Sequence, residues 1–183
     1  MVEPEYRSLH VLIVGGKAHH VRVLRTVLSL IGINEIVAEQ EPSWAMRRLK
    51  TQFFDAVFCD ETVDPIGDVP FVIAARREPD VLEHMVPIFL TCSAARLKQV
   101  NAARDSGVTD VLARPLSAQT IMRKLSLALL KPRSFIVAPD FFGPDRRSKG
   151  RPTYTGEDRR SRKTRKVKVA KATGPGTKSD YFV

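Results

Sequence analysis

The sequence contains little cysteine and no long hydrophobic run. Its two cysteines, Cys59 and Cys92, each end an apolar run and lack the paired spacing of a metal site. We therefore expect reduced core residues, and a redox pair stays open if their strands are neighbours. No apolar run approaches the ~18 residues of a membrane span, and the first residues lack a secretion-signal pattern. These absences predict a cytoplasmic protein without a transmembrane segment.

Acidic residues are scarce only in the C-terminal part of the chain. Residues 1–130 carry 15 Lys and Arg against 15 Asp and Glu, whereas residues 131–183 carry 15 against 5. The whole net charge of +10 therefore lies in the last part of the chain. A length of 183 residues allows one domain of ordinary size plus an appendage. We predict a domain over residues 1–130 and a basic tail over residues 131–183.

The first 130 residues alternate short apolar runs with longer amphipathic stretches, which is typical of βα units around a parallel sheet. The apolar runs are continuous, as in strands that are buried on both faces. The pattern predicts a doubly wound, three-layer α/β/α fold. The predicted strands are His10–Val14, Glu35–Glu39, Ala56–Asp60, Val86–Thr91 and Asp110–Arg114. The predicted helices are Ala18–Leu30, one capped by Ser43, a short one within Asp68–Arg77, Ala94–Ser106, and one that begins after Ser117 and runs to about Leu130.

Five residues lie at the carboxyl ends of the predicted strands, where doubly wound sheets bind their ligands. They are Gly15, Gly16, Asp60, Thr91 and Arg114. The parallel arrangement predicts that these residues come together at one edge of the sheet.

The glycine pair invites comparison with nucleotide-binding loops. Glycine lets backbone N–H groups approach an anion, and Lys17 and a predicted helix N-terminus follow. However, the G-x-G-x-x-G spacing is absent, and the P-loop pattern lacks its first Gly and the Ser or Thr after the Lys. A nucleotide site is therefore not favoured. The adjacent His19 and His20 are expected to be surface histidines, one of them half-buried.

Taken together, the runs "VLIV", "DAVFCD", "VPIFLT" and "GVTDVLARP" resemble the CheY-like receiver domain of bacterial response regulators, over roughly residues 8–130. The resemblance implies a five-stranded, flavodoxin-like sheet of strand order 2-1-3-4-5. It assigns Asp60 to the phosphoacceptor position and Thr91 to the position of the Ser or Thr that contacts the phosphoryl group. Pro115 matches the proline of the family's Lys-Pro pair.

The chain also departs from the family's pattern. Gly15 and Gly16 stand where the family has a pair of acids, and Arg114 stands where it has a lysine. The aromatic switch position corresponds to Val111, which is aliphatic. The resemblance therefore implies a receiver whose site lacks the acid pair, the lysine and the aromatic switch residue of the family.

These departures bear on magnesium, which proteins hold through oxygen ligands. Without the acid pair, only Asp60 and a backbone carbonyl near Thr62 remain, so we expect weak Mg²⁺ binding at best and no other cofactor. Poor metal binding impairs phosphoryl transfer, which needs charge neutralisation. Arg114 carries a planar guanidinium suited to carboxylates, so we expect it to pair with Asp60. The alternative is an Arg114 that points to solvent.

The tail contains two similar words, Phe141–Ser148 (FFGPDRRS) and Tyr154–Ser161 (YTGEDRRS), offset by thirteen residues. They resemble extensions that follow some stand-alone alphaproteobacterial receivers. A cationic run with few apolar residues follows, so we expect a largely disordered tail. Alternatively, Phe141, Phe142 and Tyr154 fold back and cover the last helix.

The cations of the tail are a candidate electrostatic arm for nucleic acid or an acidic surface. A merely solubilising tail is the alternative. The candidate binding residues are Arg146, Arg147, Arg159, Arg160, Arg162, Lys163, Arg165 and Lys166.

Three functions stay open at this point. The favoured one is an atypical, phosphorylation-impaired receiver that is not an enzyme and acts in two-component or phosphorelay signalling. It contacts a histidine kinase, a phosphotransfer protein or a downstream target through its tail and through a face that includes Leu97, Val100, Arg104 and parts of the last helix. The second is a phosphorylation-competent single-domain regulator with Asp60 as phosphoacceptor. The third is a nucleic-acid-binding protein that uses the tail.

Overall fold

A computed structural model describes residues 6–93, 103, 105–145 and 165–168 of the chain. The strands of the main sheet are β1 (His10–Val14), β2 (Glu35–Glu39), β3 (Ala56–Asp60), β4 (Ile88–Cys92) and β5 (Asp110–Ala113). The helices are α1 (Ala18–Leu30), α2 (Pro42–Thr51), α3 (Phe71–Arg77) and α4 (Ala118–Leu130). Three further strands follow, β6 (Phe135–Ala138), β7 (Phe141–Pro144) and β8 (Arg165–Val167).

The main sheet is parallel and has the order β2-β1-β3-β4-β5, which confirms the predicted fold class. The central strand β3 is buried along its whole length, and β1 and β4 are buried at all but one position each, as their continuous apolar sequences predict. The register pairs Asp60 on β3 with Thr91 on β4. The sheet therefore brings these two predicted site residues together without any contribution from a loop.

Two hydrophobic layers cover the sheet because successive strand residues point to opposite faces. The face with Leu12, Val57 and Cys59 packs against α2 and α3, and the face with Val11 and Phe58 packs against α1 and α4. Both cysteines are buried and neither forms a disulfide, as expected. Burial raises the pKa of the Cys59 thiol to about 12, so this thiol stays protonated at neutral pH.

Helix boundaries agree with the sequence except at one cap. Ser117 caps α4 by accepting a hydrogen bond from the Thr120 N–H, at 3.2 Å. The prediction that Ser43 caps α2 is wrong, because the helix begins at Pro42 and its cap is Glu41, without a side-chain hydrogen bond. Proline is favoured at the first helical position, where its missing N–H has no intrahelical partner anyway.

The helix expected over residues 94–106 falls largely outside the described residues. Ala103 and Asp105 are described and helical, and Ala103 is buried in the core. Leu97, Val100 and Arg104, which the sequence analysis places on a contact face, lie outside the described residues.

The segment after α4 contains three short strands that the sequence analysis does not predict. β6 and β7 form an antiparallel hairpin, and β8 pairs antiparallel with the other edge of β6. These strands occupy only a part of residues 131–183, most of which lie outside the described residues. β8 belongs to the cationic run, whose composition gives no sign of a strand. Pairing with β6 supplies the backbone hydrogen bonds of β8.

Aromatic residues attach the hairpin to the domain. Phe135 and Phe142 are buried, with ring centroids 5.4 Å apart, and they cluster with Met85. Fold-back of Phe142 agrees with the alternative drawn from the sequence. Its contacts are with His84 and Met85, ahead of β4, rather than with the last helix as that alternative supposed.

A close backbone contact between two glycines allows the hairpin to dock. A Cβ on Gly107 would lie 2.7 Å from the Phe142 carbonyl oxygen, and a Cβ on Gly143 would lie 2.8 Å from the Gly107 Cα. Both distances are too short for a side chain. Gly143 belongs to the first of the two repeated words, so this glycine has a packing role in the fold.

Arg76 connects the hairpin to the core from a fully buried position on α3. Its guanidinium donates hydrogen bonds to the carbonyls of Gly107 (3.1 Å), His84 (2.5 Å) and Val86 (2.7 Å). It also lies over the Phe135 ring, 5.1 Å from the centroid. Burial lowers the pKa of Arg76 to about 9, so the side chain is charged at neutral pH. One cation thus joins α3, the chain before β4 and β5, and the hairpin.

None of the helices in the described ranges is long and apolar enough to span a bilayer.

Replacement of Arg76 with Met is expected to lower the free energy of unfolding by about 3 kcal/mol, because three buried carbonyls lose their donor. Urea denaturation of the full chain measures the change. Arg77→Met is the matched control, since Arg77 is exposed one residue later and exposed sites change stability by about 0.5 kcal/mol or less. Equal stability of the two variants would contradict the role assigned to Arg76.

Candidate functional site

Asp60 lies at the carboxyl end of β3 and is almost fully buried, with 5% of its surface exposed. Thr91 stands beside it on β4, and the Thr91 hydroxyl lies 3.3 Å from Asp60 Oδ2. This juxtaposition follows from the parallel register. The two residues that the sequence assigns to a phosphoryl site are therefore adjacent.

Both carboxylate oxygens of Asp60 accept hydrogen bonds. Oδ1 accepts from the Thr62 N–H at 3.0 Å and from the Thr62 hydroxyl at 2.7 Å. Oδ2 accepts from Arg114 Nη1 at 2.6 Å, in addition to Thr91. Thr62 was expected to offer a carbonyl to a metal, and here its N–H and hydroxyl bind the carboxylate instead.

Arg114 makes the ion pair that the sequence analysis expects. It follows β5 directly, its N–H donates to the Cys92 carbonyl at 2.7 Å, and the peptide bond to Pro115 is cis. Besides Asp60, its guanidinium donates from Nη2 to Glu61 Oε1. The side chain is only 17% exposed. Arg114 therefore bridges two consecutive carboxylates rather than pointing to solvent.

The balance of burial and hydrogen bonding sets the charge of Asp60. Burial alone would raise its pKa, but the hydrogen bonds from Thr62 and the Arg114 guanidinium outweigh burial and hold the pKa below the usual value. Asp60 is therefore a carboxylate at neutral pH.

Sequence reasoning missed Glu61 and His20 as members of the site. Glu61 accepts hydrogen bonds from Arg114 and from the Ser93 N–H, at 2.6 Å for the latter. One indication of this role of Glu61 is present in the sequence, since Glu61 directly follows Asp60. His20 is the half-buried member of the histidine pair, as expected, with 23% of its side chain exposed, but its place 3.7 Å from Asp60 Oδ2, measured from Nδ1, was not predicted. Only the fold reveals this proximity, because α1 turns its first residues toward β3.

The glycine pair has a backbone conformation that disfavours side chains. Gly15 and Gly16 have φ angles of 68° and 92°, which residues other than glycine rarely adopt. A Cβ on Gly15 would meet the Val63 side chain at 2.2 Å, and one on Gly16 would meet the Asp60 side chain at 3.3 Å. The loop therefore leaves no room for a side chain at position 15, and a side chain at position 16 would have a strained backbone and a tight contact with Asp60.

The residues at this site do not fit a magnesium ion. Arg114 and Thr91 occupy Asp60 Oδ2, Thr62 occupies Oδ1, and the neighbouring positions 15 and 16 carry no oxygen-bearing side chain. Magnesium requires near-octahedral oxygen coordination, and a guanidinium 2.6 Å from the carboxylate opposes a dication. Within the described ranges, no cluster of three or more His, Cys, Asp or Glu suits a metal.

Most of the candidate tail residues lie outside the described part of the chain. Arg165 and Lys166 are described, and both are exposed on β8. Lys166 Nζ lies 2.8 Å from Asp145 Oδ2. The candidates outside the described residues are Arg146, Arg147, Arg159, Arg160, Arg162 and Lys163, together with the aromatic Tyr154.

Comparison with known proteins concerns the fold of the chain. No family model matches the chain. The chain is 24% identical over 119 residues to the chemotaxis protein CheY-3 of Vibrio cholerae, which covers 65% of this chain and 90% of that protein.

Solved structures give the same picture. A response regulator from Desulfuromonas acetoxidans superposes with a TM-score of 0.59 at 15% identity, over 67% of this chain and 97% of that one. The receiver domain of a sensor histidine kinase from Pseudomonas aeruginosa, with a magnesium ion coordinated in its active-site cleft, superposes with a TM-score of 0.51 at 22% identity. That match covers 64% of this chain and 93% of the other. The homologues and structural neighbours of this chain are thus CheY-like response regulator receiver domains, and the chain has their fold.

Proposed function

We propose that this chain is an atypical receiver in two-component or phosphorelay signal transduction, which acts through contacts with other proteins while phosphorylation of Asp60 is impaired. The observation that carries the proposal is the engagement of both Asp60 oxygens, by Thr62 on one side and by Arg114 and Thr91 on the other. Phosphoryl transfer to Asp60 needs one of these oxygens free for in-line attack on the phosphorus. It also needs a cation that stabilises the negative charge on the phosphoryl group and the leaving group in the transition state.

The Arg114 guanidinium acts in two ways on such a reaction. It neutralises the Asp60 carboxylate, which weakens it as a nucleophile, and it stands where a metal ion would have to approach. Arg114 also binds Glu61. If Arg114 moved out of the site, the Asp60 and Glu61 carboxylates would repel each other without a cation between them. The site is therefore proposed to stay in one charge arrangement.

The chain is proposed to have no enzymatic activity of its own. Its proposed partners are a histidine kinase, a phosphotransfer protein or a downstream target. The similarity to a chemotaxis protein and to the receiver domain of a sensor histidine kinase supports partners of this class.

Incubation of the full chain with acetyl phosphate and Mg²⁺ is expected to give no Asp60-dependent gain of one phosphoryl group. The reason is that Mg²⁺ binding is weak and the Asp60 carboxylate is already bonded to Arg114 and Thr62. Intact-protein mass spectrometry after an acid quench measures the gain. The Asp60→Asn protein is the control for modification elsewhere, and CheY-3 of Vibrio cholerae is the comparison receiver. A gain that disappears in Asp60→Asn would support the alternative, a phosphorylation-competent single-domain regulator.

The Asp60–Arg114 pair also predicts a pH dependence of stability. The pKa of Asp60 is lowered in the folded chain, so the stabilisation is present above the unfolded pKa of about 3.9 and is lost as pH falls through the folded pKa. Relative to Asp60→Asn, the parent chain is expected to be more stable by about 2 kcal/mol at pH 7. The difference shrinks toward zero in strong acid.

Urea unfolding of both proteins between neutral and acidic pH measures this difference. Asp64→Asn is the matched control, because Asp64 is an exposed acid in the loop after β3 and makes no ion pair in the described part of the chain. Its stability should follow that of the parent at every pH. If the difference in free energy of unfolding between the parent and Asp60→Asn did not change with pH, the stabilisation could not come from the Asp60–Arg114 ion pair.

A further inference from the structure

The outward faces of α1 and α4 together form one side of the molecule. Both helices pack on the same face of the main sheet, and they contact each other there. Leu24 and Leu28 of α1 and Ile121 and Leu125 of α4 point into the core. Residues half a turn away around each helix therefore point outward, and the two outward faces lie side by side.

Large apolar side chains protrude from this helix face. Val23 and Leu30 are 51% and 77% exposed, and they lie seven residues apart on α1, so both stand on one line along the helix. Leu127 and Leu130 are exposed on α4. Four of the six exposed large apolar side chains in the described part of the chain thus lie on these two helices. A contiguous apolar patch of this kind marks an interaction surface.

The charged side chains of the same face are all positive. Neither helix contains an acidic residue, whereas Arg22 and Arg25 on α1 and Arg123 on α4 are exposed. No carboxylate in the described part of the chain forms an ion pair with any of these three arginines. Unpaired cations beside protruding apolar side chains require a partner that offers negative charge and an apolar phase at one surface.

We propose that this helix face binds an anionic membrane surface. Val23, Leu30 and Leu130 enter the boundary between the lipid headgroups and the acyl chains, and the arginines contact the headgroup phosphates. Apolar residues flanked by cations are the pattern with which helices lie in a bilayer interface. Protruding side chains favour a fluid surface that deforms around them, since a protein partner would need a matching pocket for each. The proposal holds whether or not Asp60 accepts phosphate, so it goes beyond the proposed function.

The test is co-sedimentation of the full chain with sucrose-loaded vesicles. One set contains phosphatidylcholine alone, and the other contains equal parts of phosphatidylcholine and phosphatidylglycerol. Binding is expected only to the second set, because the arginines are attracted by anionic lipid. The cations of residues 131–183 are attracted as well, so substitutions on the helix face are needed to identify the surface that binds.

Two substitutions and two matched controls assign the surface. Leu30→Ala is expected to weaken binding to the anionic vesicles about tenfold, because less apolar area leaves water. Arg123→Gln should weaken it about fivefold, as the loss of one cation near the lipid surface implies. The controls are Trp44→Ala and Arg47→Gln, which remove an exposed apolar side chain and an exposed cation from α2 on the opposite face of the sheet. Both controls should bind as the parent does.

Tryptophan fluorescence measures the orientation, because Trp44 is the single tryptophan of the chain. Trp44 stays in water when α1 and α4 face the bilayer, so the emission maximum of the parent is expected to stay unchanged when anionic vesicles are added. In a chain with both Trp44→Phe and Leu30→Trp, the tryptophan at position 30 enters the interface. Its emission is expected to shift to shorter wavelength.

Three results would overturn the proposal. The first is no sedimentation with the anionic vesicles, which would leave an acidic protein as the partner of this face. The second is binding of Leu30→Ala and Arg123→Gln that equals that of their controls, since the basic C-terminal part would then account for all of the binding. The third is an emission shift of Trp44 without a shift of the tryptophan at position 30.

Discussion

The contact of the Arg114 guanidinium with Asp60 and Glu61 determines what the end of this sheet can do. Two carboxylates in consecutive positions repel each other, and a nearly buried one is costly without a counter-ion. Arg114 resolves both problems from the end of β5, because β4 alone separates β5 from β3 and the Arg114 side chain reaches the two carboxylates across it. A lysine offers one ammonium point charge, whereas the guanidinium reaches both carboxylates with separate nitrogens.

The same arrangement is compatible with glycines at positions 15 and 16. An acid pair at positions 15 and 16 would add two negative charges beside Asp60, and those charges would require a metal ion or further cations. The glycines remove that requirement, and their positive φ angles let the loop pass close to Asp60 and Val63. The result is an end of the sheet whose charges are balanced by protein groups alone. The hairpin at residues 135–144 is attached separately, through Arg76, Gly107 and Gly143.

Much of this fold could be predicted from local sequence patterns. Continuous apolar strands, amphipathic helices and the Ser117 cap carry their signals within short windows, and the Arg114–Asp60 pair follows from the order of strands. The approach of His20 to Asp60 could not be predicted, since adjacent histidines on a helix look alike in sequence. Fold-back of Phe142 could be considered from the sequence, but the partners of Phe135 and Phe142 could not be identified, because Arg76, His84 and Met85 are some fifty residues or more away in the chain. Ser43 failed as a cap because Pro42 already begins the helix.

The central claim is that protein groups, and not a phosphoryl group with a metal ion, hold Asp60. Titration of the ¹⁵N-labelled chain with beryllofluoride, a tetrahedral phosphoryl analogue, in the presence of Mg²⁺ tests this most directly. The account predicts no saturable shift changes in the amides of Asp60, Thr91 and Arg114. Saturable changes at these amides that are absent from Asp60→Asn would contradict it, since they would mean that Arg114 and Thr62 release the carboxylate to a ligand.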